Sequence, residues 1–498
     1  MGIKSFLSQP FAALVVSRHR KWALNAGSSQ YQTFKKLISE GRKTAFGKDH
    51  HFSEIRSYED FRKRVPIRDY EELAPYLERV KKNEPDVLWP GKPLYLSKTS
   101  GTTSGIKYIP ITKASIPFHI QGARDALLHY IHQTGKSDFV ERKMIFLSGS
   151  PQLDAVNGVP TGRLSGIVNH WVPGYLRKNQ LPGYATNCIE DWEEKVEKIA
   201  DETQHADMSL ISGIPPWVQM YFNVLQKRTG KHISELFPNF SLFVYGGVNY
   251  EPYRQQMEES IGRKVDSIEL YPASEGFIAF QDRQPSEGLL LLTNAGIFYE
   301  FVPADEYFNP QPKRLTLDQV ELGINYAIIL STNAGLWGYS IGDTVKFVSL
   351  KPPRIVVSGR IKHFLSAFGE HVIGEEVEKA ILKTISEMPA SITEYTVAPQ
   401  VAPAAGLPHH EWLIEFDTSP KDLSKFSALL DQEIQKLNIY YKDLIEGKIL
   451  EPLHISCIRK GGFISFMKEK GKLGGQNKVP RLSNDREIAN ELNKYKDQ

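Results

Sequence analysis

Strand-like and helix-like segments alternate through the middle of this chain, and this alternation constrains its fold more than any other feature. Short apolar runs, typical of buried strands, are separated by stretches at 191–202 and 218–227 in which apolar residues recur at helical spacing. Such alternation predicts an α/β fold with layered helices and a buried, mainly parallel sheet. The strand-like runs are 144–147, 242–245, 289–293 and 326–331.

Helices are predicted for the first part of the chain, ahead of these strands. Tyr31, Phe34, Leu37 and Ile38 recur at helical spacing, which predicts one buried helix face. Ser57 is followed three residues later by an acidic residue, a pattern typical of a capping box at the start of a helix.

Residues 1–25 contain the one segment that could be mistaken for a targeting signal. Pro10 precedes its apolar run and basic residues follow at once, whereas a signal peptide has a longer apolar centre with its charges in front. No run approaches the roughly 18 apolar residues that a membrane helix needs. We therefore interpret the segment as a docked first helix and expect no membrane partner.

The pattern changes after residue 351, where a strand-like run ends at Gly359 and Arg360. Two apolar helix faces then flank strand-like runs at 394–398 and 412–416, which predicts a small α+β domain of about 135 residues, a common domain size. We place the boundary near residues 360–362 and predict two domains, 1–360 and 361–498. The helix faces contain Val377, Ala380, Ile381, Ile385 and Met388, and then Phe426, Leu429, Leu430, Ile434, Leu437 and Tyr441.

Composition excludes several classes of protein. The 498 residues carry 61 Lys and Arg against 58 Asp and Glu, so the net charge of +3 lacks the basic excess of a nucleic-acid-binding protein. Only two cysteines occur, which favours a reducing cytoplasm over a secreted disulfide scaffold. The pairs His50–His51 and His409–His410 lack the spacing of a recognisable zinc site, and we interpret both as surface pairs.

The strongest local signal is the segment 97–105, in which eight of nine residues are Ser, Thr or Gly. Strand-like runs flank it, so it suits a phosphate-binding loop whose backbone N–H groups and hydroxyls face an anion. A flexible linker of the same composition is an equal alternative. The segment is not a Walker A loop, because Gly105 is followed by Ile106 and Lys107.

Three weaker signals follow along the chain. Glu275 borders an apolar run, so its carboxylate must be paired within the protein or bind a metal. Asp343 follows Gly342, which favours a turn but also suits an aspartate that grips the hydroxyls of a ribose. The basic, glycine-rich segment 459–481 is either a solvated surface or a mobile loop that brings Lys478 to a developing phosphate charge.

The order of these segments resembles that of the adenylate-forming enzymes, and more closely the auxin-responsive acyl acid amido synthetase family, over nearly the whole chain. The resemblance implies a large N-terminal domain with layered sheets and helices and a small, mobile α+β cap. It implies adenylation of a carboxylic acid with ATP and Mg²⁺, and then transfer of the acyl group to an amino acid. Two alternatives stay open: an acyl-CoA ligase, and a non-catalytic protein that binds a nucleotide or a small acid.

The resemblance also implies roles for individual residues. Tyr271 would stack on adenine, Ser274 would contact the α-phosphate, Glu275 would hold Mg²⁺, Asp343 would bind the ribose, and Lys478 would be the mobile catalytic lysine. Ser340 stands where the plant proteins usually have arginine. The other implied nucleotide-binding residues are Thr99, Ser100, Gly101, Thr102, Thr103, Gly246, Gly247 and Arg360.

Overall fold

The computed structural model describes residues 2–100, 106–172, 174–189, 191–247, 250–361, 372–401, 403–446, 450–471, 479–483 and 485–497. The chain divides into two compact units. The first unit comprises Met1–Val248 and Ser260–Val357, and the second comprises Asn249–Glu259 and Ser358–Gln498.

Strands and helices have the following bounds. The strands are β1 Tyr95–Ser100, β2 Ile106–Ile111, β3 Lys143–Phe146, β4 Asp154–Val156, β5 Val159–Gly162, β6 Gln180–Leu181, β7 Met208–Ser212, β8 Leu242–Gly246, β9 Asp266–Ala273, β10 Gly276–Gln281, β11 Leu289–Leu291, β12 Ile297–Pro303, β13 Asn325–Thr332, β14 Tyr339–Leu350, β15 Pro353–Arg360, β16 Ser391–Gln400, β17 His409–Thr418 and β18 His454–Ile458. The helices are α1 Ile3–Leu24, α2 Ala26–Gly41, α3 Ala45–Asp49, α4 Tyr58–Arg64, α5 Tyr70–Lys81, α6 Ile116–Thr134, α7 Leu164–Asn169, α8 Gly174–Arg177, α9 Tyr184–Asn187, α10 Trp192–Thr203, α11 Pro215–Thr229, α12 Ile233–Leu236, α13 Glu251–Ile261, α14 Gly374–Glu387, α15 Leu423–Leu437, α16 Ile439–Glu446, α17 Gly462–Glu469 and α18 Glu487–Leu492.

The first unit is built around a sheet of eleven strands among the described residues, which we call the large sheet. Its order is β12-β13-β14-β15-β11-β10-β9-β8-β7-β3-β6. From β9 to β6 each neighbouring pair is parallel, and we call these strands the parallel half. The strands from β10 to β12 form the antiparallel half.

The predicted α/β class is confirmed, but the prediction of a mainly parallel sheet is wrong. Helices α10 and α11 separate strands of the parallel half, whereas short connections join β9 to β10 and β13 to β14. A short connection returns the chain in the opposite direction, so it produces an antiparallel neighbour and needs no crossover helix.

Capping residues and buried apolar faces define the N-terminal helices. Ser57 accepts a hydrogen bond from the Asp60 N–H, and the Asp60 carboxylate accepts one from the Ser57 N–H, so the predicted capping box is confirmed. On α2, Phe34 is buried against the antiparallel half, but Tyr31 is exposed and lies outside the buried face. Among the described residues, none of the helices combines the length and the apolar content that crossing a bilayer requires.

The second unit contains a three-stranded sheet in the order β16-β17-β18. The predicted strands correspond to β16 and β17, and β18, which pairs parallel to β17, was missed. The predicted second helix face is divided between α15 and α16, because the chain bends at Asn438, and Leu437 is exposed. The prediction that His409 and His410 form a surface pair is wrong, since both side chains are buried.

Candidate nucleotide site

The turn between β9 and β10 carries three of the predicted site residues at the centre of the large sheet. Tyr271 lies near the end of β9, and Ser274 and Glu275 form the turn itself. Tyr271 and Ser274 are buried, and Glu275 is half-buried. Gly276 leaves room for the Ile297 side chain, because a Cβ at this position would lie 2.5 Å from Cδ1 of Ile297.

A buried hydroxyl pair joins this turn to the hydroxyl-rich hairpin of β1 and β2. The Oγ atoms of Ser97 and Ser274 are 2.9 Å apart. Ser97 belongs to the 97–105 segment but was absent from the predicted site residues. The signal that could have identified it is the alternation of β1, which points every second side chain to the same face.

The β1–β2 hairpin itself pairs Thr99 with Lys107 and Ser100 with Ile106. The strand-flanked loop was predicted at this point, and its predicted contact residues Gly101, Thr102 and Thr103 lie outside the described residues. The ammonium group of Lys107 lies 5.4 Å from the centre of the Tyr70 ring. Burial raises the pKa of the Tyr70 hydroxyl, which therefore accepts a hydrogen bond from the Tyr108 N–H as a neutral group.

Asp343 contacts Tyr271 directly. The Tyr271 hydroxyl donates a hydrogen bond to Oδ2 of Asp343 over 2.7 Å. Asp343 is half-buried and lies inside the long strand β14, so the turn favoured by its local sequence is wrong. The register against β13 shifts here, and Gly342 adopts a left-handed φ of 81°. A β-bulge of this kind re-aims one side chain out of the regular pleat.

The Tyr271–Asp343 contact shows that the antiparallel half curls. In the sheet order β9 and β14 are separated by β10, β11 and β15. At about 4.8 Å per strand, a flat sheet would hold them roughly 19 Å apart. A hydrogen bond between them therefore requires that this half bends back on itself and brings the bulge of β14 over the end of β9.

Gly246 ends β8, the parallel neighbour of β9, and Gly247 follows it. A Cβ on Gly246 would lie 2.4 Å from the carbonyl oxygen of Leu270, so only glycine allows β8 and β9 to approach this closely. Gly247 has a left-handed φ of 79°. Gly246 thus permits a close strand approach and Gly247 a left-handed backbone, and both residues belong to the first unit.

Two predicted residues belong to the second unit. Arg360 ends β15 and is exposed. Lys478 lies in segment 472–478, outside the described residues.

Ser340 stands where the plant proteins usually have arginine. Its hydroxyl accepts a hydrogen bond from the Tyr307 hydroxyl over 2.8 Å.

Helix α6 packs against β10 beside this region. Gly122 permits the close approach, since a Cβ there would lie 2.4 Å from the Phe277 ring. His119, one turn earlier, is buried, and neither of its ring nitrogens has a hydrogen-bond partner among the described residues. Burial lowers the pKa of His119 to about 4, so the imidazole is neutral at pH 7.

The first unit thus concentrates hydroxyl and carboxylate oxygens around the β9–β10 turn, at the end of strands in the middle of the large sheet. Ser97, Tyr271, Ser274 and Asp343 are joined pairwise by hydrogen bonds, and Glu275 occupies the same turn as Ser274. Hydroxyls of this kind can contact a phosphate or a sugar, and a carboxylate is the oxygen ligand that Mg²⁺ prefers. The residues present therefore fit a magnesium nucleotide.

Three models of one family match the chain. The GH3 family N-terminal domain matches residues 16–174, the GH3 family central domain matches 290–360, and the GH3 family C-terminal domain matches 375–487. Among relatives, jasmonoyl–L-amino acid synthetase JAR4 of Nicotiana attenuata is 21% identical, over 92% of this chain and 91% of that protein. Indole-3-acetic acid-amido synthetase GH3.15 of Arabidopsis thaliana is 21% identical over 85% of each.

Solved structures show the same fold. The GH3.15 acyl acid amido synthetase superposes with a TM-score of 0.81 at 16% identity, over 98% of this chain and 97% of that one. A 2-hydroxyisobutyryl-CoA ligase in the postadenylation state, in complex with 2-HIB-AMP, superposes with a TM-score of 0.60 at 13% identity, over 96% and 92%. At these identities the likeness shows the shared fold alone.

Proposed function

The chain belongs to the GH3 family, and on that premise we propose that it is an ATP-dependent acyl acid amido synthetase. The substrates are a small carboxylic acid and an amino acid, and the products are their amide, AMP and pyrophosphate. Relatives named as jasmonoyl– and indole-3-acetic acid-amido synthetases support this reaction class. The observation that carries the proposal is the convergence of β1, β9 and β14 through the Ser97–Ser274 and Tyr271–Asp343 hydrogen bonds.

In the first half-reaction, a carboxylate oxygen of the acid attacks the α-phosphorus of ATP. The bond from this phosphorus to the oxygen that bridges it to the β-phosphorus breaks, and pyrophosphate leaves with the bonding electrons. Asp343 accepts hydrogen bonds from the ribose hydroxyls, while Tyr271 orients Asp343 and places its ring against adenine. Ser274, together with Thr99, Ser100, Gly101, Thr102 and Thr103, contacts the phosphates.

Glu275 holds Mg²⁺ in this proposal. When it is bound, the ion offsets negative charge on the phosphates. The Glu275 carboxylate is well suited to this role because the β9–β10 turn fixes its backbone beside Ser274. Gly246 and Gly247 leave room for the nucleotide beside the end of β8.

Lys478 stabilises the charge that develops on the α-phosphate, and we place it in a mobile cap formed by residues 361–498. The cap would turn between half-reactions near residues 360–362, the predicted boundary of the larger domain 1–360, which lies close to Ser358, where the second unit resumes. A point charge at a flexible position suits a residue that is needed in only one of them.

In the second half-reaction, the amine nitrogen of the amino acid attacks the acyl carbon. The bond between this carbon and the phosphate oxygen of AMP breaks, AMP leaves, and the nitrogen loses a proton to solvent. We place the acid beside α6, because the neutral imidazole of His119 has no hydrogen-bond partner among the described residues and a polar atom of the substrate would satisfy it. Both cysteines are free, and the proposal includes a cytoplasmic location.

The test is exchange of labelled pyrophosphate into ATP in the presence of a panel of carboxylic acids. We expect at least one acid to support exchange, and mass spectrometry with added amino acids should detect the amide. A thioester formed with coenzyme A instead would identify an acyl-CoA ligase, and ATP binding without exchange for any acid would contradict the proposal.

Two lysine variants locate the catalytic charge. Lys478→Ala should lower exchange by at least about a hundredfold, comparable to removal of one transition-state-stabilising donor. Lys460→Ala, an exposed lysine in the same basic segment, is the matched control and should leave exchange unchanged. Equal effects of the two substitutions would remove Lys478 from the mechanism.

A further inference from the structure

The second unit brings together three metal-ligating side chains that the proposed synthetase reaction does not use. His409 begins β17, His454 begins β18, and Glu451 lies three residues before His454. The two strands are parallel neighbours in the three-stranded sheet, with Glu411 opposite His454, so both strands begin at the same end of that sheet. Within the described residues, this is the one cluster of three such groups whose ligand atoms lie within 4.8 Å of each other.

Two of the three distances between ligand atoms in this cluster match those between ligands of a single metal ion, and all three atoms lie within 4.8 Å of one another. Nδ1 of His409 lies 3.1 Å from Oε1 of Glu451, and Nε2 of His454 lies 3.3 Å from the same oxygen. The two imidazole rings stack with centroids 3.8 Å apart. Bonds of about 2.0–2.1 Å in tetrahedral geometry place neighbouring ligand atoms roughly 3.3 Å apart, so both measured distances fit.

The carboxylate is held in place by groups other than the two histidines. Oε2 of Glu451 accepts a hydrogen bond from the Leu407 N–H over 3.2 Å, which leaves Oε1 to face both imidazoles. The Glu451 N–H donates to the Pro408 carbonyl over 3.0 Å. Gly406 has a φ of 84°, and a Cβ there would lie 2.9 Å from both carboxylate oxygens. Backbone support of this kind orients a metal ligand before the ion arrives.

The cluster is also open to solvent on one side. The His409 side chain is 9% exposed, whereas that of Glu451 is 25% exposed and that of His454 is 55% exposed. An ion can therefore enter past His454, and water can complete its coordination. Nδ1 of His409 also lies 3.1 Å from the Leu407 carbonyl oxygen, so an ion that binds Nδ1 displaces this contact.

We propose that His409, Glu451 and His454 form a binding site for a zinc-class divalent cation, with Zn²⁺ as its ion. Two imidazole nitrogens and one carboxylate oxygen form a ligand set that suits zinc, whereas Mg²⁺ prefers oxygen ligands alone. The ion binds Nδ1 of His409, Oε1 of Glu451 and Nε2 of His454, and it ties the segment before β18 to the start of β17. The site is separate from the Mg²⁺ position at Glu275 and does not depend on the proposed reaction.

The test is a zinc titration of the full-length protein, stripped of metal with a chelator and without nucleotide, by isothermal calorimetry at pH 7. We expect one tightly bound Zn²⁺ per chain. His454→Ala and Glu451→Gln should each weaken this site by at least tenfold. Co²⁺ in place of Zn²⁺ should give the visible absorption of a low-symmetry site, and His454→Ala should abolish it.

Two further variants separate this site from other sources of zinc binding. His51→Ala is the matched control, because His51 and Glu54 form an exposed pair 3.6 Å apart with no third ligand in the part of the chain that the structure describes. This variant should bind zinc like the wild type. Glu275→Gln should also retain the site.

The outcomes that would overturn the proposal are equally clear. Absence of saturable zinc binding by the wild type would show that the cluster is only a set of polar side chains in contact, without a metal role. Equal binding by the wild type and His454→Ala would show that zinc binds elsewhere. His454 is mostly exposed, so its substitution should leave the protein folded, and a circular dichroism spectrum like that of the wild type checks this.

Discussion

The two halves of the large sheet differ in how their strands are joined, and the candidate site depends on that difference. Helices connect strands of the parallel half, which presents the ends of β8 and β9 at one edge. Short turns connect strands of the antiparallel half, which curls until Asp343 of β14 meets Tyr271 of β9. Strand β9 belongs to both patterns, since it is parallel to β8 and antiparallel to β10.

The halves also bury charge differently. In the antiparallel half, Arg314 forms a two-point pair with Glu300, over 2.9 and 2.8 Å, and both side chains are buried. Beside the parallel half, the buried ammonium group of Lys195 donates to the carbonyl oxygens of Ser148 and Asn187. The curled half therefore contains a neutralised ion pair, whereas the parallel half contains a cation held by carbonyl dipoles. The difference leads to predictions of decreasing size.

The largest expected effect is on the stability of the antiparallel half. Glu300→Ala leaves Arg314 buried without its carboxylate, and we expect the free energy of unfolding to fall by about 3–5 kcal/mol. The Tyr58 hydroxyl, which donates to Glu300 over 2.8 Å, loses the nearer of its two acceptors and keeps only the Arg314 carbonyl oxygen at 3.3 Å. Urea denaturation followed by circular dichroism measures the change.

The control is Glu59→Ala, which removes an exposed carboxylate paired with Arg62. Exposed pairs contribute about 0–1 kcal/mol, so its effect should be small. If the two substitutions lower the free energy of unfolding equally, the buried Arg314–Glu300 pair contributes no more to stability than an exposed pair, and the prediction is wrong.

Sequence patterns predicted the parts of this fold that depend on local order. The strands around 242–245 and 326–331, the capping box at Ser57 and the α/β class are confirmed. The antiparallel half was missed, because a buried apolar strand looks the same in parallel and antiparallel sheets. The exposure of Tyr31 and the bend at Asn438 depend on tertiary packing, which periodicity does not contain.

The candidate site shows the same division. Motif order placed Tyr271, Ser274 and Asp343 in one predicted site, and the structure brings Tyr271 and Asp343 into direct contact. The role of Ser97 depends on a partner 177 residues later in the chain, which a local pattern does not reveal. His409 was interpreted as one of a surface pair for the same reason, since Glu451 and His454 follow more than forty residues later.

The next effect in size concerns the contact that the curl creates. Asp343→Ala should lower kcat/KM for ATP in pyrophosphate exchange by about a hundredfold or more, because hydrogen bonds to a charged group contribute about 1.5–3 kcal/mol each. Tyr271→Phe removes only the hydroxyl that orients Asp343 and should have a smaller effect of the same kind.

Asp305→Ala, an exposed aspartate of the same half, serves as the control and should leave exchange unchanged. A normal kcat/KM for ATP in Asp343→Ala would mean that Asp343 does not bind the ribose, although the curl of the antiparallel half brings it to Tyr271.

The buried cation of the parallel half predicts a dependence of stability on pH. Burial lowers the pKa of Lys195 to about 8 from its ordinary value of 10.5. Between these values the unfolded chain holds a proton that the folded chain has lost, so stability rises with pH, by at most about 3 kcal/mol. Below pH 8 both states are charged and this contribution is constant.

Lys195→Met should remove the increase in stability between pH 8 and 10 that Lys195 causes. Urea denaturation midpoints at pH 8, 9 and 10 can measure this change. Lys198→Met, on the exposed side of the same helix, should retain it. Identical pH profiles for wild type and Lys195→Met would show that the cation of the parallel half is not strained by burial.

The smallest expected effect tests whether the bulge in β14 sets the position of Asp343 or is only a local distortion of the strand. Gly342→Ala forces a side chain into a left-handed φ of 81° and should destabilise the protein by about 1–2 kcal/mol. Gly91 has nearly the same φ, 82°, but a Cβ there meets nothing within 4 Å, so Gly91→Ala reproduces the strain without the site. If the bulge aims Asp343 at its ligand, the two variants lose similar stability in urea denaturation, and only Gly342→Ala raises KM for ATP. Equal KM values would mean that β14 tolerates a shift at the bulge, and that the curl of the antiparallel half, rather than the bulge, sets the position of Asp343.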